Sequence, residues 1–337
     1  MTTIKEIAEL SGCSPSTVSI VLRGKAEERN ISDNTRDKVL SIAASLDYQP
    51  NMAARSLRKG VGSDDLRIAM FWAQDFRSGM MVRFWDGLRQ AIEEGKRPIQ
   101  LTIIPYSNGH LKESRVLTGI SDFHAGIICN AAKEDLDFIA HQTLSIPVVL
   151  YNRVCEGYCS VNVDDCLLGE RAALALVDAG CRETAILTGP SVFEGMDVRL
   201  DGFYAALLKA GCPAPDQQKC TNSISGAYKV AKALLGGSWA KRLPDGIFCG
   251  SSMIAHGVLR ALNELKLRPE IYPRVIAVGN GMEDQDRYST PSLSVVRMPM
   301  EDMARASLEL LLSELYGEAE LGRRLYLDTE LVRRESC

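Results

Sequence analysis

Residues 12–25 read GCSPSTVSIVLRGK. Four hydroxyl residues, Ser14, Ser16, Thr17 and Ser19, crowd together, and Arg23 and Lys25 follow them. Short hydroxyl side chains donate and accept hydrogen bonds close to the backbone, while guanidinium and ammonium groups seek anions. Together they suit a polyanion whose edges also carry donors and acceptors, the chemistry of a nucleic-acid groove. Lys5 and Arg29 can add phosphate charge. Residues 1–60 hold nine Lys and Arg against seven Asp and Glu, a local +2, and the remainder carries −6 within a whole-chain charge of −4. That excess is small, so charge alone does not establish a nucleic-acid surface.

These residues need elements to hold them. Thr3 can cap a helix from Ile4 to about Leu10, with Ile4, Ile7, Ala8 and Leu10 as its apolar stripe. Gly12 stops it. Ser14 caps a second helix, Pro15 takes its first position, and the helix runs to about Leu22. Ser32 caps a third through about Asp47, with Val39, Ile42, Ala43 and Leu46 facing inward. Tyr48-Gln49-Pro50 breaks the pattern. Asn51 then caps a short helix from Met52 to about Arg58, and Gly60 to Asp65 form a linker. Two short helices joined at a glycine form a helix-turn-helix pattern. Val18, Val21 and Leu22 would fix the second helix on the first, where small Ala8 admits it. Pro15, Ser16, Thr17, Ser19 and Ile20 are left on the more open sides. On these residues alone, DNA binding and a capped three-helix unit that binds protein both fit.

From Leu66 onward short Val- and Ile-rich runs alternate with helical stretches: LRIAMFW, IQLTIIPY, AGIICN, IPVVLYN, CSVNVD, TAILTG, DGIFCG, RVIAVGN and LSVVRMP. Runs apolar at successive positions belong to strands buried on both faces, as in a parallel sheet built of βαβ units. About ten such strands exceed one tidy sheet, so two doubly wound lobes are expected. The chain has 337 residues, 46% hydrophobic and 24% charged, ample for two or three folded units.

Other chemistries find little support. The ten cysteines are scattered; Cys155, Cys159 and Cys166 come closest to a metal spacing, but there is no CxxC and no histidine beside them, so no metal and no cofactor are expected. GxSxG, HExxH and P-loop spacings are absent, and the four histidines, His110, His124, His141 and His256, form no triad pattern, so no enzyme is expected. The pairs Asp164-Asp165 and Asp135/Asp137 fit capping or solvated roles. No window approaches a membrane span, and Met1 to Glu9 lack an apolar run behind a basic start, so a cytoplasmic location without membrane contact is expected.

The segments TIKEIAELSGCSPSTVSIVLRGK and ISDNTRDKVLSIAASLDYQPNMAARSLRKG resemble the head of a LacI/GalR-family repressor. SVNVDDCLLGERAALALVDAGCRETAILTGP, RLDGF, DGIFCG and PSLSVVRMP follow in family order, so the resemblance covers essentially the whole chain. It implies a sequence-specific transcriptional regulator, expected to act as a repressor. The expected organisation is a helix-turn-helix domain over 1–50, a hinge helix and linker over 51–65, and a periplasmic-binding-protein-like core over 66–334. Lobe one would hold 66–163 and 294–325, lobe two 164–290 and 326–334. The resemblance further implies a homodimer on a pseudo-palindromic double-stranded operator and a small-molecule effector, sugar-like or anionic, between the lobes. The fold class expected is therefore α/β, an all-α head followed by two doubly wound parallel sheets.

Carried over position by position, Pro15, Ser16 and Ile20 would read bases. Thr3, Lys5, Ser14, Thr17, Ser19, Arg23, Lys25 and Asn51 would meet the DNA backbone. Ala54, Arg55 and Leu57 would lie in the minor groove, Leu57 as a wedge between base steps. Ile20 stands where relatives are often polar, and suits a thymine methyl. Arg199 matches a family arginine that enters the effector cleft. Its bland alternative is a salt bridge to Asp197 or Asp201. Asn152, Ser251, Asn280, Trp72, Phe193 and Arg77 complete the expected effector set, with Arg83 as a further cation. Where the family often has Asn-Asp, this chain has Ser251-Ser252; where it has an aromatic and Asp, this chain has Asn280-Gly281. Both departures remove acids that hold sugar hydroxyls and favour an anionic ligand opposite Arg199. The end LYLDTELVRRESC brings no heptad tail, so a dimer is expected. A cytosolic small-molecule sensor acting through protein partners, without specific DNA binding, is the alternative.

Overall fold

The computed structural model describes residues 4–22, 26, 29, 31–46, 66–95, 98–118, 123–142, 144–266, 268, 271–281 and 283–337, without the side chains of 4, 5, 44, 76 and 78. The head contains α1 (Ile4–Ser11), α2 (Pro15–Val21) and α3 (Asp33–Ser45). Gly12 joins the first two at φ +68°, a left-handed conformation that a side chain resists. Ser14 caps α2 by accepting from Thr17 N at 3.0 Å, and Pro15 follows where no amide donor is needed. Ile7, Ala8, Val18, Val21, Ala26, Val39 and Ala43 form a small buried core. Leu10, expected in that core, is 60% exposed, and Ser11 is buried instead. At 100° per residue position 11 lies over 7 and 8, and the Ser11 hydroxyl is satisfied by donating to Ala8 O at 3.3 Å.

The core alternates as its runs foretell. The first sheet is built from β1 (Leu66–Ala73), β2 (Ile99–Tyr106), β3 (Ala125–Cys129), β4 (Val148–Tyr151), β5 (Cys159–Val163) and, much later, β11 (Arg324–Leu327). Between them run α4 (Met81–Gly95), the short α5 (Arg115–Thr118) and α6 (Lys133–Ala140). Its order is β11-β5-β4-β3-β1-β2, parallel throughout. The second sheet, ordered β12-β10-β9-β8-β6-β7, contains β6 (Thr184–Thr188), β7 (Asp216–Lys219), β8 (Gly246–Cys249), β9 (Arg274–Gly279), β10 (Ser294–Arg297) and β12 (Glu330–Val332). Only β12 runs antiparallel to its neighbour. Its helices are α7 (Asp165–Asp178), α8 (Glu194–Lys209), α9 (Ile224–Gly236), α10 (Ser238–Lys241), α11 (Ser252–Asn263) and α12 (Glu283–Arg287). The long α13 (Met300–Leu315) returns to the first sheet, against α4 and β3 to β5.

The chain therefore passes between lobes at three places: after Val163, after Arg297 and after Leu327. This corrects the expected boundaries. β10 belongs to the second lobe, paired with β9 and β12, so residues 294–297 do not open the return to lobe one. Likewise β11 extends lobe one to Leu327, beyond the expected break at 325. A strand buried on both faces reads alike whichever sheet it joins, and only pairing decides.

Both faces of each sheet are filled. Ile68, Met70 and Trp72 enter one cluster, while Ala69, Phe71 and Ala73 from the same strand enter another. In lobe two, α7 and α8 cross at glycines: a Cβ on Gly169 would stand 1.9 Å from Arg199 O, and one on Gly202 2.1 Å from Cys166 O. Only bare backbone permits this approach, and it brings Arg199 of α8 against Asp165 at the start of α7.

Candidate functional site

On α2, Val18 and Val21 are buried, Pro15 and Ser16 are exposed, and Thr17, Ser19 and Ile20 are half-buried. The helix thus turns one edge inward and leaves a small, hydroxyl-bearing edge outside. Ser14 and Thr17 are partly engaged with each other, Oγ to Oγ1 at 2.9 Å, so their first task is to hold the helix start. Lys5 lies on α1, but its side chain is outside the described residues, as are Thr3, Arg23, Lys25, Asn51, Ala54, Arg55 and Leu57 entirely.

Between the lobes lies a cleft that is open to solvent. Its walls come from the carboxyl ends of the strands, the place where open α/β sheets bind ligands. After β1 comes Arg77, after β3 Asn130, and after β4 Asn152 and Arg153. From lobe two come Phe193, Met196 and Arg199 around the start of α8, Asn222 after β7, Gly250 after β8 and Asn280 after β9. Met298 and Met300 enter from the second crossing. Asn130 and Asn152 hold left-handed φ of 61° and 53°, tolerable for asparagine and suited to turning a side chain out of a strand end.

Of the expected set, Arg199, Asn152, Asn280, Phe193 and Arg77 line this cleft. Arg199 pairs with Asp165, Nη2 to Oδ1 at 2.5 Å, and with neither Asp197 nor Asp201. Asp197 instead accepts from the Ser191 hydroxyl at 2.8 Å. Asp164 caps α7 by accepting from Leu167 N at 2.9 Å. Arg77 is fixed by Asp75, which also accepts from Asn108 at 2.8 Å. Burial would raise the Asp75 carboxyl, but the Arg77 bonds and charge outweigh it and hold the carboxyl below its ordinary range.

Three expected residues sit elsewhere. Trp72 is 3% exposed and packs its ring 5.5 Å from Phe84, so it is core. Ser251 stands behind the wall: it caps α11, accepting from Ile254 N at 3.2 Å, and donates to Asn222 Oδ1 at 2.6 Å. Arg83 is engaged between the lobes. Its guanidinium donates to Glu301 at 2.5 and 2.7 Å, to Met298 O at 2.9 Å and to Gly279 O at 3.2 Å. It is a clamp across the second crossing.

The residue that sequence reasoning missed is Arg153. It is 5% exposed and lies with its guanidinium 3.6 Å from the Phe193 ring centroid. Burial, then the neighbouring Arg77 charge, pulls it down to about 9, still cationic near neutral pH. Asn222 and Asn130 were also missed; both follow a strand, the same signal that pointed to Asn152 and Asn280. Behind Asn280, Asp286 accepts from the Ser252 hydroxyl at 2.9 Å and lies 3.0 Å from His256 Nε2, so its carboxylate is occupied away from the cleft. Among the described residues, no three His, Cys, Asp or Glu gather as metal ligands do, and no helix is long and apolar enough to cross a membrane.

Residues 3–51 match the model of bacterial regulatory proteins of the lacI family, and residues 173–337 match the periplasmic binding protein-like domain. The ribose operon repressor of Escherichia coli K12 is 26% identical over 353 residues, covering 100% of both chains. A probable transcriptional repressor of Bacillus subtilis, ExuR, is 26% identical over 345 residues, covering 100% of this chain and 98% of its own. A LacI-family transcription regulator from Clostridium acetobutylicum, solved as a crystal structure, superposes with a TM-score of 0.75 at 28% identity, over 80% of this chain and 100% of that one. With a lacI-type head, a two-lobed core of the matching type and full-length likeness to repressors, this chain belongs to the LacI family of DNA-binding transcriptional regulators.

Proposed function

We propose that the chain acts in the cytoplasm as a homodimer that represses transcription from a pseudo-palindromic operator and is switched by a small molecule held between its lobes. Each α2 enters one major-groove half-site, with Pro15, Ser16 and Ile20 toward base edges and Ser14, Thr17 and Ser19 toward phosphates. Lys5, Thr3, Arg23, Lys25 and Asn51 add backbone contacts, and the paired hinges, Ala54, Arg55 and Leu57, meet the minor groove between half-sites. The function is binding throughout, with no chemical step.

The observation that carries the switch is the cleft itself. Its walls belong to two sheets joined by three crossings, so a ligand touching Arg77 and Asn152 on one side and Arg199 and Asn280 on the other binds the closed arrangement better than the open one. That differential affinity is what shifts the population of lobe arrangements, and with it the separation of the two heads. The domain division consistent with this is a head over 1–50, a hinge over 51–65 and the two-lobed core beyond.

The interface is tested by Ser16→Asp. The position is exposed and near the start of α2, where a carboxylate favours the helix, so folding should persist. Facing phosphates, the added charge should weaken operator binding at least about 10-fold at low salt. The readout is fluorescence anisotropy on a duplex recovered by selection from a random pool. Affinity equal to that of the parent protein would remove α2 from the interface.

A further inference from the structure

The cleft is rich in donors and poor in acceptors. Arg77, Arg153 and Arg199 line it, and no Asp or Glu does among the described residues; Asp197 lines the adjoining pocket beside Met196, Arg199 and Gly250, where the Ser191 hydroxyl already engages it. Arg77 and Arg199 each have a carboxylate behind them, Asp75 and Asp165. Arg153 pairs directly with no carboxylate among the described residues, although the charge of Asp165, held by Arg199, reaches it. Its Nε donates to Ala131 O at 2.6 Å, one terminal nitrogen donates to Asn152 O, and the other, Nη2, is buried without a partner. The Asn130 amide nitrogen beside it is also buried without a partner. Across the cleft the amide oxygens are already engaged: Asn222 Oδ1 by the Ser251 hydroxyl at 2.6 Å, Asn280 Oδ1 by Ser252 N at 3.4 Å. Their amide nitrogens are what remains to offer a ligand.

A neutral sugar brings a proton with every hydroxyl and needs acceptors for them. A carboxylate brings acceptors only, and a phosphate brings more acceptor oxygens than protons. A buried cation with an unsatisfied N–H is stabilised most by an anion, and the guanidinium fork matches carboxylate and phosphate oxygens. The rest of the wall, Phe193 with the soft side chains of Met196, Met298 and Met300, favours an apolar body behind that group.

Resting on the effector reading of the cleft, we infer that the effector is a small anion whose carboxylate or phosphate seats on Arg153 Nη2 and Asn130 Nδ2. Arg153 is the anchoring residue, and Arg77 and Arg199 supply the surrounding positive field with their own charges compensated.

The test uses the full-length protein and three probes: sodium benzoate, inorganic phosphate and D-glucose, with sodium chloride at matched ionic strength as reference. Thermal unfolding is followed by tryptophan fluorescence, since Trp72 in lobe one and Trp239 in lobe two are buried, while Trp85 is exposed. Benzoate or phosphate should raise the melting temperature saturably, on the order of 2 °C at tenfold excess over Kd. Which of the two acts separates carboxylate from phosphate. The rise should vanish in Arg153→Met, which keeps the apolar stem. It should also vanish in Asn130→Asp, which keeps the shape and supplies the missing carboxylate internally. No rise over chloride with either anion, or an equal rise in both variants, overturns the inference. A rise lost in both variants while operator affinity stays constant upholds the anion site and overturns the effector reading. A response of both stability and operator affinity to glucose alone does the reverse.

Discussion

The Arg83 clamp gives a prediction whose size follows from geometry. Arg83 rises from α4 in the first lobe and ties three places together: Glu301 on α13 of the same lobe, Met298 O in the second crossing, and Gly279 O at the end of β9 in the second lobe. The Arg83 side chain is 6% exposed and that of Glu301 27%. Arg83→Met keeps the stem and removes the charge. Breaking a buried pair by deleting one partner costs about 3–5 kcal/mol, because the other charge is stranded. Glu301 is only partly covered and keeps Arg297 at 3.2 Å, which places the loss at the lower end, about 3 kcal/mol. Removing both charges in Arg83→Met/Glu301→Met leaves no stranded carboxylate, and Arg297 keeps its longer contact to Glu283 at 3.9 Å, so the double variant should recover about 1–2 kcal/mol of that loss. Urea unfolding of the core by tryptophan fluorescence measures both, and a double-mutant cycle isolates the coupling. A single-variant loss under about 1 kcal/mol, or strict additivity in the cycle, refutes the clamp.

Three further outcomes are expected. Gly202→Ala sets a Cβ 2.1 Å from Cys166 O, so α7 and α8 must part; the core should lose about 1–3 kcal/mol in the same urea assay, and a loss below about 0.5 kcal/mol contradicts the close crossing. Glu301 is held below the ordinary glutamate value of 4.5, since the Arg83 bonds outweigh the effect of burial. Its stabilising contribution should therefore be complete above pH 4.5 and fade as pH falls through the lower folded value, whereas Glu301→Gln should lack that component; identical acid profiles for the two proteins tell against the pairing. Leu57→Ala should weaken operator binding at least about 10-fold by anisotropy while leaving the core's unfolding midpoint unchanged, and undiminished binding removes the wedge.

Much of the architecture is legible in the residues. Ser14, Pro15 and Gly12 mark the turn and start of α2, because caps and left-handed turns are local matters that a few residues decide. The apolar runs mark most strands for the same reason. What escapes is settled by partners distant in sequence. β7 is polar, DQQK at a sheet edge, and carries no apolar signal. β10 reads as a buried strand but does not announce its sheet. Arg153 looks like a surface arginine in YNR, and only the approach of Phe193 from the other lobe shows that it is buried. Trp72 invites a stacking role, yet its neighbour Phe84 holds it in the core. Arg199 was legible as a cleft residue, but its counter-ion was not: Asp165 reaches it through a helix crossing made possible by Gly169 and Gly202.

The most direct test of the central claim is selection of bound sequences from a random duplex pool by the purified full-length protein at a fixed, stated salt concentration, run with and without benzoate and phosphate. The account predicts enrichment of one pseudo-palindrome with a deformable central step, and a change in its yield between the two arms. Failure to enrich any sequence in either arm would contradict a sequence-specific regulator gated through the cleft.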